Sequence, residues 1–123
     1  MNRIFDNEVI PMLNIPGGIK RCGGDEMTYL DLLRAYAQNV GSLLEQIKSI
    51  PIGKLADYAL LVKRIKDSSY YICAGPAMDL AEELETAAKM RDYDFVQENN
   101  GDLIETTEYL LHGIKNFLAI YLE

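Results

Sequence analysis

Residues 54–73 read KLADYALLVKRIKDSSYYIC, a stretch in which candidate core residues recur at steps of three and four. Residues at that spacing lie on one face of an α-helix. The candidate inner face comprises Leu55, Tyr58, Val62, Ile65, Ser69 and Ile72. The outer stripe of the same helix then comprises Ala59, Lys63, Lys66, Asp67 and Tyr70. The pattern therefore predicts an amphipathic helix that presents Lys63 to solvent.

Three further segments have the same helical spacing. The segment between Asp25 and Lys48 begins with a candidate N-cap, Asp25. Another segment starts at Pro76, which suits a first helical turn, and its last turn carries Lys89 and Arg91. A final long helix is predicted from Phe95 onward, and Asn99-Asn100-Gly101 is its weak point, where it can kink or split. The inner faces comprise Tyr29, Leu33, Tyr36, Val40, Leu43 and Ile47; Ala77, Leu80, Leu84 and Ala87 or Ala88; and Val96, Leu103, Leu110, Ile114, Phe117 and Tyr121.

Four amphipathic segments with short connections predict an all-α fold, an up-down-up-down antiparallel four-helix bundle. The breaks fall at Gly17-Gly18, Gly23-Gly24, Pro51 and Gly75-Pro76. One or two short N-terminal helices, limited by Pro11 and Pro16, are expected before the bundle. The apolar residues expected to cap one end of the core there are Ile4, Phe5, Val9, Ile10, Met12 and Leu13. We expect residues 1–123 to form a single domain.

Composition excludes several classes of function. Twelve basic and nineteen acidic residues give a net charge of -7, which argues against nucleic acid or an anionic membrane as a partner. No apolar run is long enough to span a bilayer, and the N-terminus does not read as a signal peptide, so we expect a cytoplasmic protein. Two cysteines, Cys22 and Cys73, and one histidine lack the spacing of a metal site, and two buried thiols are expected instead.

Residues 62–74 resemble the signature helix of histidine-containing phosphotransfer (HPt) domains. That signature reads His, any residue, an aliphatic, Lys, Gly, two small residues, two variable residues, Ile, Gly and Ala. The matching residues are Ile65, Lys66, Ser68, Ser69, Ile72 and Ala74. Three positions depart from it: Lys63 replaces the histidine, and Asp67 and Cys73 replace the two glycines.

The flanking sequence extends the resemblance over nearly the whole chain. Ile15-Pro16-Gly17-Gly18-Ile19, then Gly23-Gly24-Asp25 and Tyr29-Leu30-Asp31-Leu32-Leu33, are similar to the lead-in of HPt domains. Residues 80–88 followed by Asp92-Tyr93 resemble the next helix of the family and its exit. The resemblance implies an HPt-like bundle whose outer stripe on helix 54–73 docks onto a receiver domain.

The departures predict that this docking occurs without phosphotransfer. A lysine ammonium at position 63 holds a proton on its nitrogen at neutral pH, whereas imidazole offers a lone pair. Asp67 adds a negative charge beside any incoming phosphate, or pairs with Lys63 one turn away. A basic cluster of Lys63, Arg64 and Lys66 complements the acidic residues of a receiver. The hypothesis is a non-catalytic adaptor without cofactor or metal, which binds response-regulator receiver domains through Ala59, Lys63, Arg64, Lys66, Asp67 and Tyr70.

Two alternatives remain open. His112-Gly113-Ile114-Lys115 repeats the His-x-aliphatic-Lys spacing on the last helix, which would suit an active phosphotransfer protein. The following Asn116-Phe117-Leu118-Ala119 lacks the two small residues, and a bulky phenylalanine replaces one of them, so an ordinary surface histidine is favoured. The other alternative is a helical scaffold unrelated to phosphorelays, with exposed Tyr and Met residues as contacts; Tyr70 is expected to be exposed and Tyr71 partly buried.

Overall fold

A computed structural model describes residues 4–49 and 53–121 of the chain. Those residues contain five helices and no strand, which confirms the all-α class. The helices are α1 (Ile15–Arg21), α2 (Glu26–Ile47), α3 (Leu55–Tyr71), α4 (Gly75–Lys89) and α5 (Tyr93–Tyr121). α2 packs against α3 and α5, and α4 packs against the same two helices. The four long helices thus enclose one core, as in a helical bundle, while Pro51 lies outside the described residues.

The register of α3 agrees with the three-and-four spacing. Tyr58, Val62, Ile65 and Ser69 are buried, and Lys63 is exposed. Ser69 hydrogen bonds the hydroxyl of Tyr36 on α2 at 2.9 Å, which satisfies both polar groups inside the bundle. Burial raises the pKa of Tyr36 to about 12. Ser69 therefore belongs to the inner face, as the sequence predicts.

The C-terminal end of α3 is held by a left-handed residue and by Tyr29. Cys73 has a φ of 61°, and the Ala74 amide donates to the Ser69 carbonyl at 2.9 Å. This arrangement closes the last turn in the manner of a Schellman motif. The Tyr29 hydroxyl donates to the Ile72 carbonyl at 2.7 Å. Gly18 packs directly on the ring of Tyr29. A Cβ at position 18 would lie only 2.1 Å from Tyr29 Cε1, so a larger residue would displace this ring.

The last helix is not broken at Asn99-Asn100-Gly101, the point where the sequence leaves a kink or split open, because α5 runs unbroken through these residues. Asn100 Nδ2 donates to the carbonyl of Ile47 at the end of α2, at 2.8 Å. The Tyr58 hydroxyl donates to Asn100 Oδ1 at 2.7 Å. The Asn100 amide therefore links α5 to α2 and α3 beside Gly101, which offsets the low helix propensity of glycine.

The N-terminal segment covers one part of the core, but fewer of its apolar residues are buried than the sequence predicts. Phe5 and Ile10 are buried, and the Phe5 ring stacks on Phe117 with 5.0 Å between centroids. Val9, by contrast, is 84% exposed and Met12 is 39% exposed, and residues 4–14 form turns and irregular segments where a helix was expected. The one helix before α2 in the described residues is α1, which Asn14 caps. Among the described helices, none combines the length and the apolar character needed to cross a membrane.

Candidate docking face on α3

Five of the six predicted partner-binding residues have at least part of their surface exposed on α3. They are Lys63, Arg64, Lys66, Asp67 and Tyr70, which we call the α3 face. The expected exposure of Ala59 is wrong, since only 7% of its surface is accessible. Ala59 and Ala88 of α4 are both buried and line the same narrow groove. Small side chains at these two positions let α3 and α4 approach closely, so Ala59 belongs to the helix interface.

Lys63 forms an ion pair on its own helix. Its Nζ lies 2.9 Å from Asp67 Oδ2, and the two side chains are 50% and 46% exposed. A solvated pair four residues apart on a helix contributes about 0.3–0.5 kcal/mol. The pair is therefore weak enough for either partner to exchange it for an intermolecular contact.

Lys66 is held much more firmly, by Glu85 of α4. Its Nζ lies 2.6 Å from Glu85 Oε1, and Lys89 Nζ lies 2.9 Å from Glu85 Oε2. Burial would raise the pKa of Glu85, but the hydrogen bond from Lys66 and the positive charges of Lys66 and Lys89 outweigh it and lower that pKa. The hydrogen bond to Glu85 raises the pKa of Lys66. Lys66 thus serves as a charged tie between α3 and α4.

These pairs change the expected electrostatics of the α3 face. The sequence predicts a basic cluster, yet Lys63 and Lys66 are each neutralised by a carboxylate. Arg64 is the remaining exposed cation of the face, and no described residue forms an ion pair with it. Adjacent helical residues point about 100° apart, so Arg64 does not converge with Lys63 on one point. The face is therefore close to neutral, and a strongly basic patch is not observed.

Tyr70 is a half-exposed aromatic residue at the C-terminal end of the face, as predicted. The Arg21 guanidinium lies 4.1 Å from the centre of its ring and donates a hydrogen bond to its carbonyl oxygen. The expected partial burial of Tyr71 is wrong, because its side chain is 57% exposed and packs edge-on against Tyr70. A groove of about 530 Å³ opens beside Tyr70, and its walls include Met12, Cys73 and Met78. The α3 face therefore ends in an aromatic and apolar site.

The two cysteines and the groove beside the N-terminal segment lie outside the α3 face. Cys22 and Cys73 are free, half-buried thiols, where burial was expected. Within residues 4–49 and 53–121, no group of histidine, cysteine and carboxylate side chains is arranged to hold a metal ion. A groove of about 1020 Å³ lies between the N-terminal segment and the α1–α2 turn and contains none of the predicted site residues.

His112 is exposed on α5, as the sequence predicts. Its Nε2 lies 3.3 Å from Asn116 Nδ2, one helical turn along. The groove beside it, of about 290 Å³, contains Lys48 and Lys115. His112 therefore lies on a different helix from the α3 face, and it hydrogen bonds Asn116, which stands where the HPt signature has glycine.

Comparisons of the chain with models of protein families, with curated proteins and with solved structures find no match. A functional interpretation therefore depends on the residues of the α3 face and on the local resemblance of residues 62–74 to the HPt signature.

Proposed function

We propose that the protein is an HPt-like adaptor of two-component signalling that binds receiver domains through the α3 face and carries no phosphoryl group. It acts in the cytoplasm as an up-down-up-down bundle, and it is not an enzyme. The observation that carries the proposal is the exposure of Lys63 on α3, at the position where the HPt signature has histidine.

The backbone at Cys73 supports the resemblance independently of the side chains. The HPt signature has glycine at this position, and Cys73 has a φ of 61°. Glycine adopts that left-handed conformation without the steric cost that a Cβ atom imposes. A backbone that suits glycine is thus found where the signature has glycine, although this chain carries cysteine there.

The chemistry of the face argues against phosphoryl acceptance. Lys63 is ion-paired with Asp67, and a lysine ammonium offers no nucleophilic lone pair. The Lys66 ammonium is engaged by a buried carboxylate. These two side chains leave the site able to touch a receiver without taking a phosphoryl group from it.

Binding would combine an exchangeable charge with an apolar anchor. Receiver domains present acidic residues around their phosphorylatable aspartate. Lys63 can exchange Asp67 for such a carboxylate at a cost of only about 0.3–0.5 kcal/mol. The exposed Arg64 adds a second cation, and the groove beside Tyr70 accepts an apolar side chain. The proposal therefore places the charged contacts near Lys63 and the apolar contacts near Tyr70.

Titration calorimetry of the full chain against receiver domains encoded in the same genome tests the proposal. At least one receiver should bind, and Lys63→Glu should weaken that binding by about tenfold or more. Tyr70→Ala should also weaken it. Lys115→Glu makes the same charge change on α5 and should leave the affinity within about twofold. Equal affinity of Lys63→Glu and the unmodified protein would contradict the docking face.

A further inference from the structure

We infer that the α3 face selects receiver domains whose aspartate is unphosphorylated. This inference rests on the proposed function and adds the state of the partner. It follows from the ion pairs that the charged residues of the face already form within the chain.

The two lysines that flank the centre of the face are both paired with carboxylates. Lys63 Nζ lies 2.9 Å from Asp67 Oδ2, and Lys66 Nζ lies 2.6 Å from Glu85 Oε1. Because Glu85 is 4% exposed and also contacts Lys89, Lys66 cannot turn outward without leaving a buried carboxylate with one partner fewer. The face therefore lacks a pair of free ammonium groups that could clamp a phosphoryl dianion.

A carboxylate also lies beside Lys63, the position at which the HPt signature has its phosphate-accepting histidine. Asp67 is 46% exposed and lies one turn from Lys63. Glu82 of α4 is exposed as well, and it lies close enough for its charge to act on Lys66. Phosphorylation of a receiver aspartate adds about one negative charge. At about 5 Å from Asp67 in a water-like dielectric, that charge corresponds to roughly a fourfold loss of affinity.

An unphosphorylated receiver avoids this repulsion and still benefits from Lys63. Its active-site carboxylates can share the Lys63 ammonium with Asp67, and no dianion is brought to the face. At low ionic strength, the net charge of -7 on the whole chain also disfavours the more negative, phosphorylated receiver. The adaptor would thus hold receivers in the resting state and release them when they are phosphorylated.

The test compares two states of each receiver that binds the full chain, one with the free aspartate and one with beryllium trifluoride on it as a phosphoryl mimic. The unmodified protein should bind the free state about three- to tenfold more tightly. Equal affinity, or tighter binding of the mimic, would overturn the inference while leaving the proposed function intact. If no receiver binds in either state, both fail.

The variant Asp67→Asn distinguishes the effect of the Asp67 charge from that of the net charge of the chain. It removes the carboxylate that repels the mimic and frees Lys63, so the preference for the free state should disappear or reverse. Asp102→Asn removes an exposed carboxylate from α5 and should keep the preference. If both variants change the ratio of affinities equally, net charge explains the selection and the inference about the α3 face is wrong.

Discussion

Lys66 on α3 and Glu85 on α4 form an ion pair in which Nζ lies 2.6 Å from Oε1 and Glu85 is 4% exposed. The lysine occupies the position where the HPt signature also has lysine. In this chain, however, it ties two helices together. Lys63, three residues earlier, makes only a solvated pair within its own helix. Two lysines on one helix therefore have different roles, and the two roles can be measured separately.

The first prediction concerns stability. Lys66→Met leaves the buried Glu85 with Lys89 alone and should lower the free energy of unfolding by about 1–3 kcal/mol. Lys63→Met is the matched control, and it should cost less than about 0.5 kcal/mol because its pair is solvated. Urea denaturation followed by circular dichroism measures both. Equal losses for the two variants would show that Glu85 does not depend on Lys66.

A second prediction concerns pH. The pKa of Glu85 is lowered in the folded chain from its ordinary value of 4.5, so the folded state favours the ionised carboxylate. That contribution is present above pH 4.5 and is lost as pH falls through the folded-state pKa. The difference in unfolding free energy between the unmodified protein and Glu85→Gln should therefore be constant above about pH 5.5 and shift against the unmodified protein in acid.

Urea titrations from about pH 7 to about pH 3 give this difference directly. Asp25, the N-cap of α2, also has a lowered pKa, chiefly because the Thr28 side chain donates to it. It is present in both proteins, so its contribution cancels. A difference that stays flat across the whole range, or one that moves in favour of the unmodified protein in acid, would contradict the assignment to Glu85.

The third prediction uses the left-handed residue after α3. Cys73→Gly removes the steric cost of a Cβ at a φ of 61° and should stabilise the protein by about 0.5–1 kcal/mol. Cys22→Gly removes the other thiol at a position where φ is -87°, a value that any residue adopts. This variant should destabilise the protein, because glycine there only raises the conformational entropy of the unfolded chain. Thermal unfolding of both variants under reducing conditions tests the contrast. Destabilisation by Cys73→Gly would argue against the correspondence with the glycine of the HPt signature.

A fourth prediction restores the missing chemistry. The double variant Lys63→His, Asp67→Gly reverses the two departures from the signature that bear on phosphoryl transfer. Incubated with a phosphorylated receiver, it should acquire acid-labile phosphate at position 63, whereas the unmodified protein should acquire none. Adding His112→Ala should not abolish that label. Label on His112 of the unmodified protein would support the alternative of an active phosphotransfer protein.

The sequence predicts the helices and the register of α3 because both depend on local spacing. Val62 and Ile65 lie inside and Lys63 outside, as the three-and-four pattern requires. Alanine is compatible with both buried and exposed positions, so the three-and-four pattern does not predict the burial of Ala59. Its position is decided by how closely α4 approaches.

Contacts between distant residues explain what the sequence does not predict. The helix holds at Gly101 because Asn100 bonds Ile47, which is 53 positions away along the chain. The charge of the α3 face is altered by Glu85, which is 19 positions from Lys66. A pattern that assigns only apolar residues to the inner face of α4 overlooks a buried glutamate. A carboxylate flanked one turn later by Lys89 is the one local signal that points to it.

Amide chemical-shift mapping of the full chain, titrated with a receiver domain that binds it, shows whether α3 is the docking helix. The largest perturbations should fall on Lys63, Arg64, Asp67 and Tyr70 and on the groove beside Tyr70. Perturbations that cluster on α5 around His112, with α3 unchanged, would show that the receiver docks elsewhere.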